Sequence, residues 1–426
     1  MLPTLIIIFV ATYVAIAFEH GLRINKSASA LIGAGLLWTV YAVSMDNPHN
    51  VSEELGASLM STAQIVFFLM GAMTIVEVVD AHHGFEVITS RIKTQSLSGL
   101  IWLVGLVSFF LSAILDNLTT TIVMISLMKK LIDQREDRLY FAGLIVIAAN
   151  AGGAWTPIGD VTTTMLWIGG QITALAIMKG VFLPAIVNLL LPMAVMSWVL
   201  RGREVISPAL GGDSLSGTTV FERNLMFYLG LAILICVPAF KTWTHLPPFM
   251  GILFGLGILW LVGDLVHKGK LDEEKEHLTL VRALTRIDMS SLVFFIGILL
   301  SVATLEHTQI LKSLALWLDQ TIGRQDVIVT LIGLASAVVD NVPLVAASMG
   351  MYSLSQFPPD SFLWEFMAYC AGTGGSILII GSAAGVAAMG LEKIDFFWYV
   401  RKVSGLALLA YLAGALVYVV QYSLLH

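Results

Sequence analysis

Two short stretches carry the same unusual group of residues in apolar surroundings. SAILDNLTTT (112–121) holds Asp116, the sole charge between Thr94 and Met128, and SAVVDNVPLV (336–345) holds Asp340, the sole charge between Val327 and Pro359. Each aspartate is followed by an asparagine, Asn117 or Asn341, and preceded by a serine four positions earlier, Ser112 or Ser336. A third carboxylate, Asp160, is alone between Leu139 and Met178 in ANAGGAWTPIGDVTTTMLW (149–167), with Asn150 before it and Thr162 and Thr163 after it. Thr120 in the first stretch and Thr373 and Ser376 in AGTGGSILIIGS (371–382) add hydroxyl oxygens. A carboxylate in the middle of a membrane costs a few kcal/mol and is rarely idle. None of these segments contains Lys or Arg, so cations would have to balance Asp116, Asp160 and Asp340. Oxygen-only ligands suit a hard cation, Na+ or Li+, or protons, and carboxylates held near one another titrate as a coupled set. Ion and proton competing for one carboxylate is the simplest physical basis for exchange. The plainer reading of the aspartates is as caps of short helices. For at least one of Thr162, Thr163 and Thr164 it is a hydroxyl bonded back to the preceding turn.

The elements that would position these groups are transmembrane. With 57% hydrophobic and 12% charged residues over 426 positions, the chain is far from the soluble norm of about 25% charged. The fold class expected is an all-α polytopic membrane protein. The N-terminus lacks a basic leader region and reads as a first span. Cys236 and Cys370 are far apart in apolar runs and define neither a disulfide framework nor a metal cluster. Spans are expected near 3–19, 27–45, 62–80, 139–176 (interrupted), 181–200, 224–241, 248–266, 289–305, 362–390 (interrupted) and 403–424, which makes ten crossings. The apolar stretches at 97–128 and 327–357 do not fit as single crossings. Thirty-two residues in one helix would be about 48 Å long, against a core of roughly 30 Å. Folded at Asp-Asn, each becomes a re-entrant hairpin. Arg91 and Lys93 before the first stretch, and Lys129, Lys130, Arg135 and Arg138 after it, put both its ends on the positive, cytoplasmic side. The second hairpin, between Lys312 and Arg324 on one side and Asp360 and Glu365 on the other, would enter from the opposite face.

A repeat accounts for that inversion. SAILDN aligns with SAVVDN, ANAGGAWTPIGD (149–160) with AGTGGSILIIGS (371–382), and VFFLMG (66–71) with VFFIG (293–297). Each half then has five crossings and a hairpin, and an odd number inverts the second half. The expected division is a first inverted repeat at 1–200, a cytoplasmic linker at 201–223 and a second inverted repeat at 224–426. Inverted repeats of this kind build their site from discontinuous helices near the midplane. TIVEVVDAHHGFEVI adds Asp80, His82 and His83 at a span end, readable as a proton relay, a pH sensor or an interfacial polar collar. Glu306 and His307 hold the comparable place in the second half. No phosphate-binding loop is present, no cofactor is called for, and nothing suggests nucleic acid as a partner.

At these residues the chain resembles the NhaD-type sodium/proton antiporters, in the superfamily that also holds arsenite pumps and dicarboxylate transporters. The likeness is carried by FFLMGAMTIVEVVDAHHGF, SAILDNLTTTIVM, ANAGGAWTPIGDVTTTMLWIGGQ and SAVVDNVPLVAASMGM and runs over nearly the whole length. It implies a homodimer with a scaffold part and a moving, elevator-like transport part in a bacterial-type inner membrane. It also implies a transport role for Ser112, Asp116, Asn117, Asn150, Asp160, Thr162, Thr163, Ser336, Asp340, Asn341 and Ser376. Pro343 stands where the first stretch has Thr119 and removes a hydroxyl there. Competing expectations are a Na+-coupled symporter, or a metalloid carrier of the same fold. More remote is an intramembrane aspartyl protease, which would need two carboxylates sharing one water on facing helices.

Overall fold

The computed structural model describes residues 1–17, 19–45, 48–89, 96–205, 218–271 and 275–425. The described chain is helical, and its one β-bridge is an isolated pair, Ser96 with Glu204. Arg91 and Lys93, and positions 206–217 of the expected linker, lie outside the described residues.

Among the described residues, seven helices are long and apolar enough to cross a membrane. In chain order the elements that matter are α1 (Leu2–Ala17), α2 (Lys26–Ser44), α3 (Pro48–Ala81), α4 (Leu97–Ser112), α5 (Asn117–Leu131), α6 (Arg135–Ala154), α7 (Val161–Ile168), α8 (Ala174–Val199), α9 (Val220–Thr244), α10 (Pro248–Val266), α11 (Met289–His307), α12 (Ile310–Thr321), α13 (Gln325–Ala335), α14 (Asn341–Met351), α15 (Phe362–Gly374), α16 (Ala383–Glu392) and α17 (Gly405–Leu425). The long spans, together with the shorter apolar α1, correspond to the eight uninterrupted crossings expected from hydropathy. Large apolar side chains such as Ile32, Phe254, Leu261, Leu409 and Leu416 are exposed on outer faces, as a lipid-facing surface requires.

Both apolar stretches that were too long for one crossing are broken at Asp-Asn: α4 ends at Ser112 and α5 starts at Asn117, while α13 ends at Ala335 and α14 starts at Asn341. Both interrupted spans are broken as well, α6 from α7 and α15 from α16. In the first, Pro157 and Gly159 stop the helix, since proline offers no N–H and glycine weakens helical structure. The chain restarts when the Asp160 carboxylate accepts the Thr162 N–H at 2.9 Å. In the second, Ser382 plays that part and accepts from Gly385 N–H at 3.2 Å. The two caps share one backbone shape, φ −143°, ψ 146° at Asp160 and φ −146°, ψ 157° at Ser382.

Two expectations need correcting. The span placed at 62–80 is the second part of a longer helix, α3, which begins at Pro48. A helix not foreseen, α12, lies between α11 and the second hairpin. It buries Leu311 and Ala315 while Lys312 and Asp319 share the same twelve residues, so its apolar face is a stripe and never a run of spanning length.

Packing sorts the helices into two groups. In one, α2 packs on α1 and α11, and α10 packs on α3 and α9. In the other, α4 and α5 pack on α6, α13 packs on α15, α16 packs on α5, and α8 packs on α17. The groups meet where α11 touches α14 and α3 touches α7.

Candidate ion-binding site

Asp160 is the centre on which the breaks converge. One of its oxygens, Oδ1, accepts from the backbone N–H and the hydroxyl of Thr162, both at 2.9 Å. The other, Oδ2, accepts from the Asn117 amide at 2.8 Å and the Asn341 amide at 3.5 Å. Asn117 and Asn341 are the residues that start the second helix of each hairpin, so one carboxylate is bridged by both tips. The Asn117 amide also donates to Asn150 Oδ1 at 3.0 Å, and the Asn150 amide donates to Ser382 Oγ at 3.0 Å. Asp160, Asn117, Asn150, Asn341 and Ser382 are all buried. Amides are apt neighbours here, because an Asn side chain can offer N–H to a bare carboxylate or turn its oxygen to a cation.

The other two aspartates have separate environments. Asp116 is satisfied within its own turn, by the Thr119 N–H at 2.6 Å and the Thr119 hydroxyl at 2.8 Å. Asp340 accepts the Val342 N–H at 3.3 Å and the Lys26 ammonium at 3.0 Å. Among the described residues no three of His, Cys, Asp and Glu stand close enough to share one metal ion. Asp116, Asp160 and Asp340, the three carboxylates expected to take Na+ or Li+, thus stand in separate hydrogen-bonding environments, and amides bridge the two tips at Asp160. The expectation that no cationic side chain balances them fails at Asp340, because Lys26 arrives from 314 residues away.

The hydroxyls divide into groups. Ser112 donates to Ala149 O at 2.6 Å and Ser336 to Ala371 O at 3.0 Å, tying each hairpin to the broken helix of its own half. Thr163 donates to Asp160 O at 2.9 Å and Thr164 to Pro157 O at 3.0 Å, the local back-bonding foreseen for at least one threonine. Thr373 donates to Tyr369 O and Ser376 to Thr373 O, each at 2.6 Å. Among the described residues, the buried Thr120 hydroxyl has no hydrogen-bond partner. The glycines next to the breaks are close approaches: a Cβ at Gly152 would meet Phe109 O, and one at Gly374 would meet Gly333 O.

The Asp80, His82 and His83 stretch is not one cluster. His82 is buried, and its Nδ1 lies 2.7 Å from Val78 O, a carbonyl that can only accept, so Nδ1 carries the proton. Its Nε2 then accepts from His267 Nε2–H at 3.1 Å, with the two rings stacked at 5.1 Å. His267, just beyond the end of α10, was not singled out from sequence, because nothing in a lone histidine marks a partner 185 residues away. Burial pushes His82 down to about 4 and lowers His267 as well. Asp80 and His83 instead line a separate cavity of about 200 Å³ with Glu86, Ser126 and Lys130 beside α5. Glu306 and His307 line another of about 280 Å³ beside α14, with Ser58 and Met165.

The molecule is thus a polytopic helical protein with four helix breaks, which converge on a buried carboxylate and its amides. The sequence pattern of the citrate transporter family, CitMHS, matches residues 13–365, and the chain belongs to that family. It is 51% identical over 98% of its length to "Sodium/proton antiporter 1" of Arabidopsis thaliana, covering 72% of that protein. It is 32% identical over 93% of its length to "Na(+)/H(+) antiporter NhaD" of Alkalimonas amylolytica, covering 86% of that protein. The crystal structure of the Alcanivorax borkumensis YdaH transporter has the same fold, with a TM-score of 0.57 at 13% identity over 90% of each chain. Family and relatives are transporters, not enzymes, and the protease reading is set aside.

Proposed function

We propose that the chain is a secondary antiporter that exchanges Na+ or Li+ for H+ at Asp160. The observation that carries this reading is the setting of that carboxylate: both hairpin tips reach it, and its partners are amides and a threonine. A carboxylate so placed takes either a proton or a hard cation, one at a time, and the amides supply further oxygens. Asp116 and Asp340 flank it and hold the hairpin tips through their caps. The names of the plant and bacterial relatives support the same exchange.

The division into inverted repeats at 1–200 and 224–426 is part of this proposal. Its support is the matched pairs Ser112–Ala149 and Ser336–Ala371, the twin caps at Asp160 and Ser382, and the close approaches at Gly152 and Gly374. So is elevator-like movement of the hairpin group past the α2, α3, α10 and α11 group in a homodimer. The sequence favours a bacterial-type inner membrane, whereas the relatives come from plants as well as bacteria.

A second reading, an anion carrier coupled to Na+, is favoured by the family's description and by Lys26 at the second tip. Sealed proteoliposomes holding a preset proton gradient separate the two. Na+ or Li+ should collapse the gradient, K+ and citrate should not, and Asp160→Asn should lower the rate about a hundredfold or more, in line with losing a buried charged ligand. Accumulation of labelled citrate with Na+, without proton movement, would replace the antiport reading.

A further inference from the structure

The two hairpin tips repeat the same Asp-Asn, yet Asp340 is the one paired with a lysine. At the first tip Thr119 gives Asp116 both an N–H and a hydroxyl. At the second the equivalent residue is Pro343, which has no N–H to give and no hydroxyl. Asp340 keeps a single local hydrogen bond, from Val342 N–H to Oδ1 at 3.3 Å, and its Oδ2 is turned to the Lys26 ammonium at 3.0 Å.

Lys26 is firmly placed to meet it. It is the first residue of α2, whose start is capped by Asn25, and Asn25 and Ser27 both hydrogen-bond Ser290 at the start of α11. Further along, α2 and α11 touch so closely that a Cβ on Gly297 would lie 2.7 Å from Ala30 backbone. The Lys26 N–H donates to Glu19 at 3.2 Å, and its ammonium lies 4.4 Å above the Phe294 ring. The side chains of Lys26 and Asp340 remain 25% and 17% exposed, so the pair can open. The charged and titratable groups that act on the pair are Glu19 and Asp288 on Lys26, and Tyr13 and Asp160 on Asp340. Lys26 belongs to the helix group built on α2 and α11, and Asp340 to the hairpin group.

We propose that Lys26 is a tethered cation that occupies the free oxygen of Asp340 and competes with the transported alkali cation at the second hairpin tip. It is a positioning and affinity-setting residue, which acts through Asp340, and the inference rests on the antiport reading above. An alkali cation that reaches Asp340 displaces the ammonium, and the ammonium re-pairs when the cation leaves. The proline is what leaves that oxygen open to such a contest.

Two readouts on the purified full-length protein test it: apparent KM for Na+ in proton-flux assays in proteoliposomes, and half-saturation of Na+-dependent thermal stabilisation in detergent, both at alkaline pH. Lys26→Gln should lower both by roughly two- to fivefold, the range expected for a partly exposed ion pair, while Lys26→Arg should keep the wild-type values. Pro343→Thr restores the local cap without touching Lys26. By filling that oxygen it should remove the contest, so that adding Lys26→Gln to Pro343→Thr changes neither half-saturation. Unchanged or raised half-saturation in Lys26→Gln, or an undiminished effect of Lys26→Gln in the Pro343→Thr background, would overturn the proposal and leave Lys26 a structural pair. Wild-type protein that neither moves protons on Na+ addition nor is stabilised by Na+ would overturn the antiport reading itself, and this proposal with it.

Discussion

At the first hairpin tip Asp116 takes its hydrogen bonds from Thr119, three residues on; at the second, Pro343 supplies none and Asp340 looks across to Lys26 on another helix. Their following asparagines behave more alike, since Asn117 and Asn341 both reach Asp160, but at 2.8 Å and 3.5 Å. The backbone break and the amide recur at both tips, while the partner of each aspartate differs. A repeated motif therefore fixes where a helix stops, and the residue three positions later decides what the carboxylate does.

The sharpest way to break this comparison is at the asparagines. Asn117→Ala should lower Na+-dependent proton flux about a hundredfold, because it removes a close donor to a buried carboxylate and its tie to Asn150. Asn341→Ala, losing a longer bond, should cost only about tenfold. Equal losses would mean that the tips contribute alike and that the 2.8 Å and 3.5 Å contacts do not rank them.

A smaller effect is expected where the halves match. Gly152→Ala and Gly374→Ala each push a methyl into a neighbouring carbonyl, of Phe109 and of Gly333 respectively. Each should destabilise by about 1–3 kcal/mol in thermal or denaturant unfolding of the purified protein. A large inequality between them would break the equivalence of the two halves.

The smallest effect at working pH concerns the span ends. His82 is buried against His267, whereas His307 in the other half is partly exposed and hydrogen-bonds Ser58 at 3.1 Å. With His82 pushed from 6.5 to about 4 by burial, the unfolded chain binds a proton there before the folded one does. Stability from this group is thus complete above pH 6.5 and is lost as pH falls from 6.5 towards 4. His82→Gln should flatten the fall in unfolding temperature over that window and change little above it. A fall as steep as the wild type's would assign the acid sensitivity elsewhere.

Much was legible because membranes constrain a sequence tightly. Apolar length set the spans, and an isolated charge in an apolar run marked Asp116, Asp160 and Asp340. Proline and glycine marked where α6 stops, and the motif offset paired the two hairpins. The amphipathic helix α12 escaped because a mixed stripe of twelve residues does not register as apolar length.

By itself, then, the sequence determined the helical membrane architecture, the four breaks and the three carboxylates, since each follows from local chemistry: backbone donors must be satisfied in lipid, and proline or a capping aspartate says where they are not. Tertiary structure alone decided that Asp160 is the centre, that both tip asparagines and Asn150 converge around it, that His82 stacks on His267, and that Lys26 neutralises Asp340. Those pairings join residues 33 to 314 positions apart. A hydrogen bond or an ion pair is read from distance in space, and no periodicity along the chain records it.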